Sequence, residues 1–176
     1  LDTVPKNLCV GDRWILSEFA QVLEDVEKSW TEVDIFSATR TIKNFATDVL
    51  PSHWLEMAKG RMYDGDVNAA WTIHRIVKDL LTIFSPICPF FTHHLSETLY
   101  GQSAVDIRAY PKSKLANDND AANLRKLTTA LCDFNSETWR TKKENSLSLN
   151  AEIDGISVPE VLNEFSAELT AMHKLI

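Results

Sequence analysis

Glycine is scarce here: five glycines occur in 176 residues. None falls in G-x-G-x-x-G or G-x-x-x-x-G-K-[ST] spacing, so no loop can wrap its amides around a nucleotide phosphate. Cysteine is scarcer. Cys9, Cys88 and Cys132 are far apart, odd in number and never in a C-x-x-C pair, which argues against a disulfide framework and the common zinc motifs. Buried, reduced thiols of a cytoplasmic protein are the expectation. No G-x-S-x-G elbow is present. No apolar run approaches the roughly 18 residues of a membrane helix. The opening stretch LDTVPKNLCVGDRW has no basic region followed by an apolar block, so it is not a signal peptide. It also lacks an initiator Met, which suggests a piece of something longer. Positive charge is in deficit, 18 Lys and Arg against 25 Asp and Glu for a net −7. That balance disfavours nucleic-acid binding over the whole surface but allows a local basic face.

What is present is helical. An apolar share of 44% can fill a core, and 24% charged residues suit a soluble surface. After Gly11, Leu16, Phe19, Leu23, Val26 and Trp30 recur at steps of three and four, with Asp12 as the expected N-cap. Ile35, Ala38, Ile42, Phe45 and Val49 repeat the pattern, and Pro51 is expected to end it. A shorter helix, HWLEMAKG, is expected to stop at Gly60. Ala70, Ile73, Val77, Leu80, Leu81 and Phe84 mark a long apolar helix closed by Ser85-Pro86. Pro89 opens the next, whose stripe is Phe91, Leu95 and Leu99 and whose cap is Gly101. PKSKLANDNDAAN reads as a polar linker, followed by a stripe of Leu124, Leu127, Leu131 and Phe134. Asp154-Gly155 signals a tight hairpin, and Pro159-Glu160 a last helix with Val161, Leu162, Phe165, Leu169 and Met172. The expected fold is mostly α, an antiparallel helical bundle with a small C-terminal α/β appendage. Its parts are a bundle core over 1–112, a linker and further helix over 113–145, and the appendage over 146–176.

Catalytic chemistry is hard to find. His93 and His94 are adjacent, so on a helix they point about 100° apart and cannot share a metal. Cys88 stands outside that helix, and the acidic residues are scattered. No catalytic residue and no metal ligand is assigned. Two basic clusters remain: Lys59 and Arg61 with Tyr63, and Arg140, Lys142 and Lys143 with Trp139. Each could meet phosphates with an aromatic to stack on an unpaired base, or could be a solvated helix end.

DRWILSEF, SHWLEMAKGRMY, LLTIFSPICPFFTHHLSETLYG, SAVDIRAYP and TKKENSLSLNAEI occur in an order and spacing that resemble a known family. It is the helical anticodon-binding domain of class I aminoacyl-tRNA synthetases of the valine, isoleucine and leucine group. The second stretch matches the family's aromatic-x-Glu-x-x-Lys-x-Arg pattern at Trp54, Glu56, Lys59 and Arg61. The sequence departs from the usual Thr-Glu-Glu at Thr92-His93-His94, and from Trp-Pro at Tyr110-Pro111. MAKGRMY and SLSLNAEI are most similar to valyl members of the archaeal type; isoleucyl and leucyl members are the alternatives. The resemblance implies a cytoplasmic domain that grips the anticodon arm of a tRNA, the valine-accepting one by preference. Catalytic and editing domains would lie elsewhere on a parent ATP-dependent ligase. The fragment itself would then need no cofactor, since ATP and Mg belong to the parent catalytic domain. Implied tRNA contacts are Lys59, Arg61, Tyr63, Arg13, Trp14, Arg140, Lys142 and Lys143. Of these, Trp14, like Trp54, is read rather as a core aromatic than as a base platform, and Arg13 is open to a carboxylate partner within the bundle. Lys59→Ala with Arg61→Ala is expected to weaken binding without changing thermal stability. The rival reading is a helical protein-interaction module with an exposed apolar groove and no nucleic-acid role.

Overall fold

A computed structural model describes residues 4–102, 108–112 and 119–176. Eight α-helices run through those residues. Part of the expected linker, and part of SAVDIRAYP, lie outside the described residues.

Helix α1 (Val10–Thr31) buries Leu16, Phe19, Leu23 and Val26, as its spacing requires. Its cap differs from the expectation. Cys9 is the N-cap, its sulfur accepting from the Asp12 amide at 3.4 Å. Asp12 is fully buried inside the first turn, because its carboxylate is held by partners from distant elements.

Helix α2 (Ile35–Asn44) is capped by Asp34, which accepts from the Ser37 amide at 3.0 Å. The helix does not end at Pro51. It widens into a π-helical segment over Phe45–Leu55 and continues into α3 (Glu56–Tyr63), past Gly60. Proline has no amide to donate and crowds the carbonyl one turn back, and a widened ladder accommodates both. The widening also moves the buried stripe. Phe45, Leu50 and Trp54 face the core at spacings of five and four, where a regular α-helix would have turned Val49 inward.

Helix α4 (Val67–Phe84) starts at Asp66, whose carboxylate accepts from Asn68 N at 2.8 Å. It buries Ala69, Thr72, Ile76, Leu81 and Ile83, a face that keeps Leu81 of the expected stripe but is otherwise offset from it. Apolar residues flank both sides of that face, with Trp71, Ile73, Leu80 and Phe84 half-buried against the core, so periodicity alone left the inner face loosely fixed. Pro86 and Pro89 do punctuate as expected: α5 (Pro89–Tyr100) has proline in its first turn and Gly101 as a left-handed cap at φ 60°. The inner face of α5 is a correction. Thr92 and Ser96 are buried, whereas Phe91 and Leu99 of the expected stripe are exposed and Phe90 is 91% exposed. Thr92 is satisfied inside by donating to Cys88 O at 3.0 Å, and Ser96 Oγ accepts from Arg108 at 2.7 Å.

Helices α6 (Asn119–Lys126) and α7 (Thr128–Glu144) lead to a 3₁₀ turn over Glu160–Phe165 and α8 (Ser166–His173). The expected hairpin is not there. Gly155 has φ 78°, but its flanks do not pair. Instead Ile153 forms a lone parallel bridge with Leu175, which is all the β structure of the appendage among the described residues. Leu162, Phe165 and Leu169 are fully buried in the same core as Trp14 and Leu131, so their apolar surface is satisfied by the bundle rather than by a local sheet.

Candidate nucleic-acid interface

The two basic clusters sit at the C-terminal ends of α3 and α7, where free carbonyls favour positive charge. Lys59 and Arg61 are two residues apart, so they leave the helix about 200° apart. Lys59 is exposed and pairs with Glu56 at 3.2 Å, both side chains about half in solvent. Such a pair is worth under about 1 kcal/mol, so Lys59 is free to take a phosphate instead. Tyr63, the last residue of α3, is 82% exposed. Its ring is open on the surface.

Arg61 points the other way. It donates to Asp12 Oδ1 at 2.7 Å, to Asp12 Oδ2 at 3.0 Å and to Asp66 Oδ2 at 2.8 Å, and lies 3.5 Å from Glu168. Burial works against its charge, but the hydrogen bonds and charge of Asp12 more than offset this and raise its pKa. Trp54 completes the cluster by donating to Asp12 Oδ1 at 3.1 Å. Glu168 accepts from the Gly11 amide at 2.9 Å and from the Cys9 thiol at 3.2 Å. Burial, then Glu168, push that thiol's pKa far up. Gly11 is needed for this approach, since a Cβ there would stand 2.7 Å from Glu168 Oε1. Arg61 is therefore a structural clamp joining α1, α3 and α8, not a surface contact.

Trp14 and Lys142 are also inside. Trp14 is fully buried, donates to Thr128 Oγ1 at 2.8 Å and meets Phe165 edge to face at 6.4 Å, so it cannot stack on a base. Lys142 is fully buried with its ammonium donating to Leu149 O, Ala151 O and His173 O at 2.9, 2.8 and 2.7 Å. All three of its protons are used, which leaves none for a phosphate. Arg140 and Lys143 are exposed, Arg140 beside Glu137 at 3.1 Å. Arg13 is exposed on the first turn of α1, in a shallow cleft with Lys6 and Asp120.

Sequence reasoning missed Lys174. It follows α8 in a left-handed conformation at φ 49° and lines a groove of about 650 Å³ with Lys59, Tyr63 and Asn150. After burial, its charge is the second influence that lowers the pKa of Lys142. Nothing local in the C-terminal stretch signals this; α8 has to fold back against α3 first. His93 lies 3.6 Å from Glu97, and no trio of metal-ligating side chains occurs among the described residues.

By architecture the chain is a helical-bundle domain that presents cations and an aromatic ring at its helix ends. Residues 12–157 match the family model of the anticodon-binding domain of tRNA ligase; the chain belongs to that family. It is similar to the valine–tRNA ligase of Saccharolobus solfataricus, 27% identical over 166 residues, which is 91% of this chain and 20% of that protein. It is also similar to those of Aeropyrum pernix (27%, 93% of this chain and 21% of the relative) and Methanosarcina barkeri (28%, 86% and 18%). The chain spans about a fifth of the length of the curated relatives it matches.

Proposed function

We propose that this domain binds the anticodon arm of the valine-accepting tRNA on behalf of a parent valine–tRNA ligase. The carrying observation is the family match over residues 12–157, joined by relatives that are themselves named valine–tRNA ligases. On this reading Lys59, Lys174, Arg140, Lys143 and Arg13 meet phosphates, while Tyr63 stacks on an unpaired loop base. Arg61, Trp14 and Lys142 hold the frame that positions them. The chain carries no catalysis of its own. Aminoacylation, with its ATP and Mg, belongs to the parent's catalytic domain, and the whole works in the cytoplasm.

Filter binding of a valine-accepting tRNA transcript to the 176-residue chain, repeated over a salt series, tests this. With a net charge of −7 and few phosphate contacts, binding is expected at about 10⁻⁶ M or weaker at physiological salt, falling as salt rises. Lys59→Gln with Lys174→Gln should weaken it further at unchanged melting temperature. Tight binding indifferent to salt contradicts the reading.

One observation favours a protein contact elsewhere on the molecule. The outer face of α5 shows Phe90, Phe91 and Leu99 to solvent, a surface suited to another domain rather than to a phosphate backbone. The catalytic and editing domains of the parent are the partners it would suit.

A further inference from the structure

The groove beside α3 is electrically balanced. Its lining holds Lys59, Lys174 and the partly buried Arg61 together with Glu56, Asp64 and Glu168. A second, smaller cleft of about 150 Å³ is not balanced, and neither basic cluster in the sequence contributes to it. It lies between the C-terminal half of α4 and the segment at 108–111. Among the described residues, Arg75, Lys78 and Arg108 line it with a single carboxylate, Asp79, an excess of two positive charges among those residues of an otherwise acidic chain.

Among the described residues the three cations keep donors to spare. Arg75 donates Nε to Asp79 at 2.8 Å, and no other hydrogen bond of its guanidinium occurs among the described residues. Lys78 forms no ion pair or side-chain hydrogen bond among the described residues. Arg108 donates through Nη2 to Ser96 Oγ at 2.7 Å, but its Nη1 is buried without a partner among the described residues. A buried donor left unmade costs free energy that a ligand recovers by accepting from it. The guanidinium is also held in place. Ser96 fixes it from α5, and two residues on Tyr110 donates to Leu23 O of α1 at 2.7 Å. Burial raises the pKa of Asp79, and the nearby charges of Arg75, Lys78 and Arg108 only partly offset this.

We propose that this cleft is a phosphate seat, occupied by a backbone phosphodiester of bound tRNA. The proposal rests on the tRNA reading above. Its volume is below the roughly 300 Å³ of ordinary small-molecule pockets. A single phosphate can therefore enter while the rest of the ligand stays outside. The guanidinium fork matches phosphate oxygens, and Lys78 adds a point charge at the rim.

The test is tRNA binding by the 176-residue chain over a salt series, comparing the parent chain with Lys78→Gln and Arg108→Gln. Loss of one seated phosphate is expected to lower the slope of log affinity against log salt by about one in either variant. Arg108→Gln also alters its bond to Ser96; Lys78→Gln, at the rim, keeps the test sound if that variant misfolds. Unchanged slopes in a chain that does bind tRNA overturn the cleft and leave the tRNA reading intact. Failure of the parent chain to bind tRNA even at low salt overturns both. In a second arm, inorganic phosphate is titrated at constant ionic strength. Saturable thermal stabilisation lost in Lys78→Gln, together with unchanged tRNA slopes, makes the ligand a free anion and overturns the RNA seat.

Discussion

Arg61 shows how one side chain can be misassigned by residue type. Lys59 and Arg61 look like one basic patch when the sequence is read along its length. Their two-residue separation, taken with helix geometry, already places them on opposite faces. Arg61 is 25% exposed and neutralises Asp12, whose side chain is fully buried. Removing a partner from such a pair leaves an unsolvated charge, so Arg61→Ala should cost about 3–5 kcal/mol. Lys59→Ala removes only a solvent-screened pair and should stay within about 0.5 kcal/mol. Denaturant unfolding of the two single variants checks this. Equal stabilities would mean that the clamp carries no weight. The expectation that the double substitution spares stability is therefore withdrawn.

At the scale of elements, the C-terminal third depends on Lys142. Its ammonium ties α7 to the 149–151 loop and to the end of α8 through three carbonyls. Lys142→Met keeps the stem but leaves those carbonyls unpaired, so a loss of about 2–4 kcal/mol is expected. The loosening should be local first. Amide exchange at Leu147, Ile153 and Leu175, which donate to Lys142 O, Lys174 O and Thr170 O, should speed up more than exchange in α1. Uniform acceleration along the chain would refute a local anchor. These dependences explain which elements could be read in advance. Helix α1, the proline pair around α5 and the Gly101 cap rest on short-range chemistry. The π segment through Pro51, the inner faces of α4 and α5 and the lone bridge at Ile153 do not; neighbouring elements decide each of them.

At the scale of the whole molecule, buried imidazoles couple stability to pH. Asn135 sits between His53 and His173, with His173 Nε2 at 2.8 Å from its Oδ1 and His53 Nδ1 at 3.2 Å from its Nδ2. Burial, then the charge of Lys142, push His173 down to about 4 from 6.5; burial also lowers His53. Between those values the unfolded chain takes up a proton that the folded one refuses. Stability should thus fall as pH drops from about 6.5 to 4, by at most about 3 kcal/mol from His173. His173→Asn should flatten that limb in urea midpoints measured across the range. A slope of the same size in that variant would place the titrating group elsewhere. The sequence by itself determined the helical class, the number and order of the main α1–α5 helices and the family, because amphipathic spacing, prolines and capping residues act over a few positions. Which cations face water was decided only by tertiary structure. Arg61 and Lys142 find their acceptors on residues distant in sequence or across a turn, and Arg75, Lys78 and Arg108 converge only once α4 and the 108–111 segment pack together.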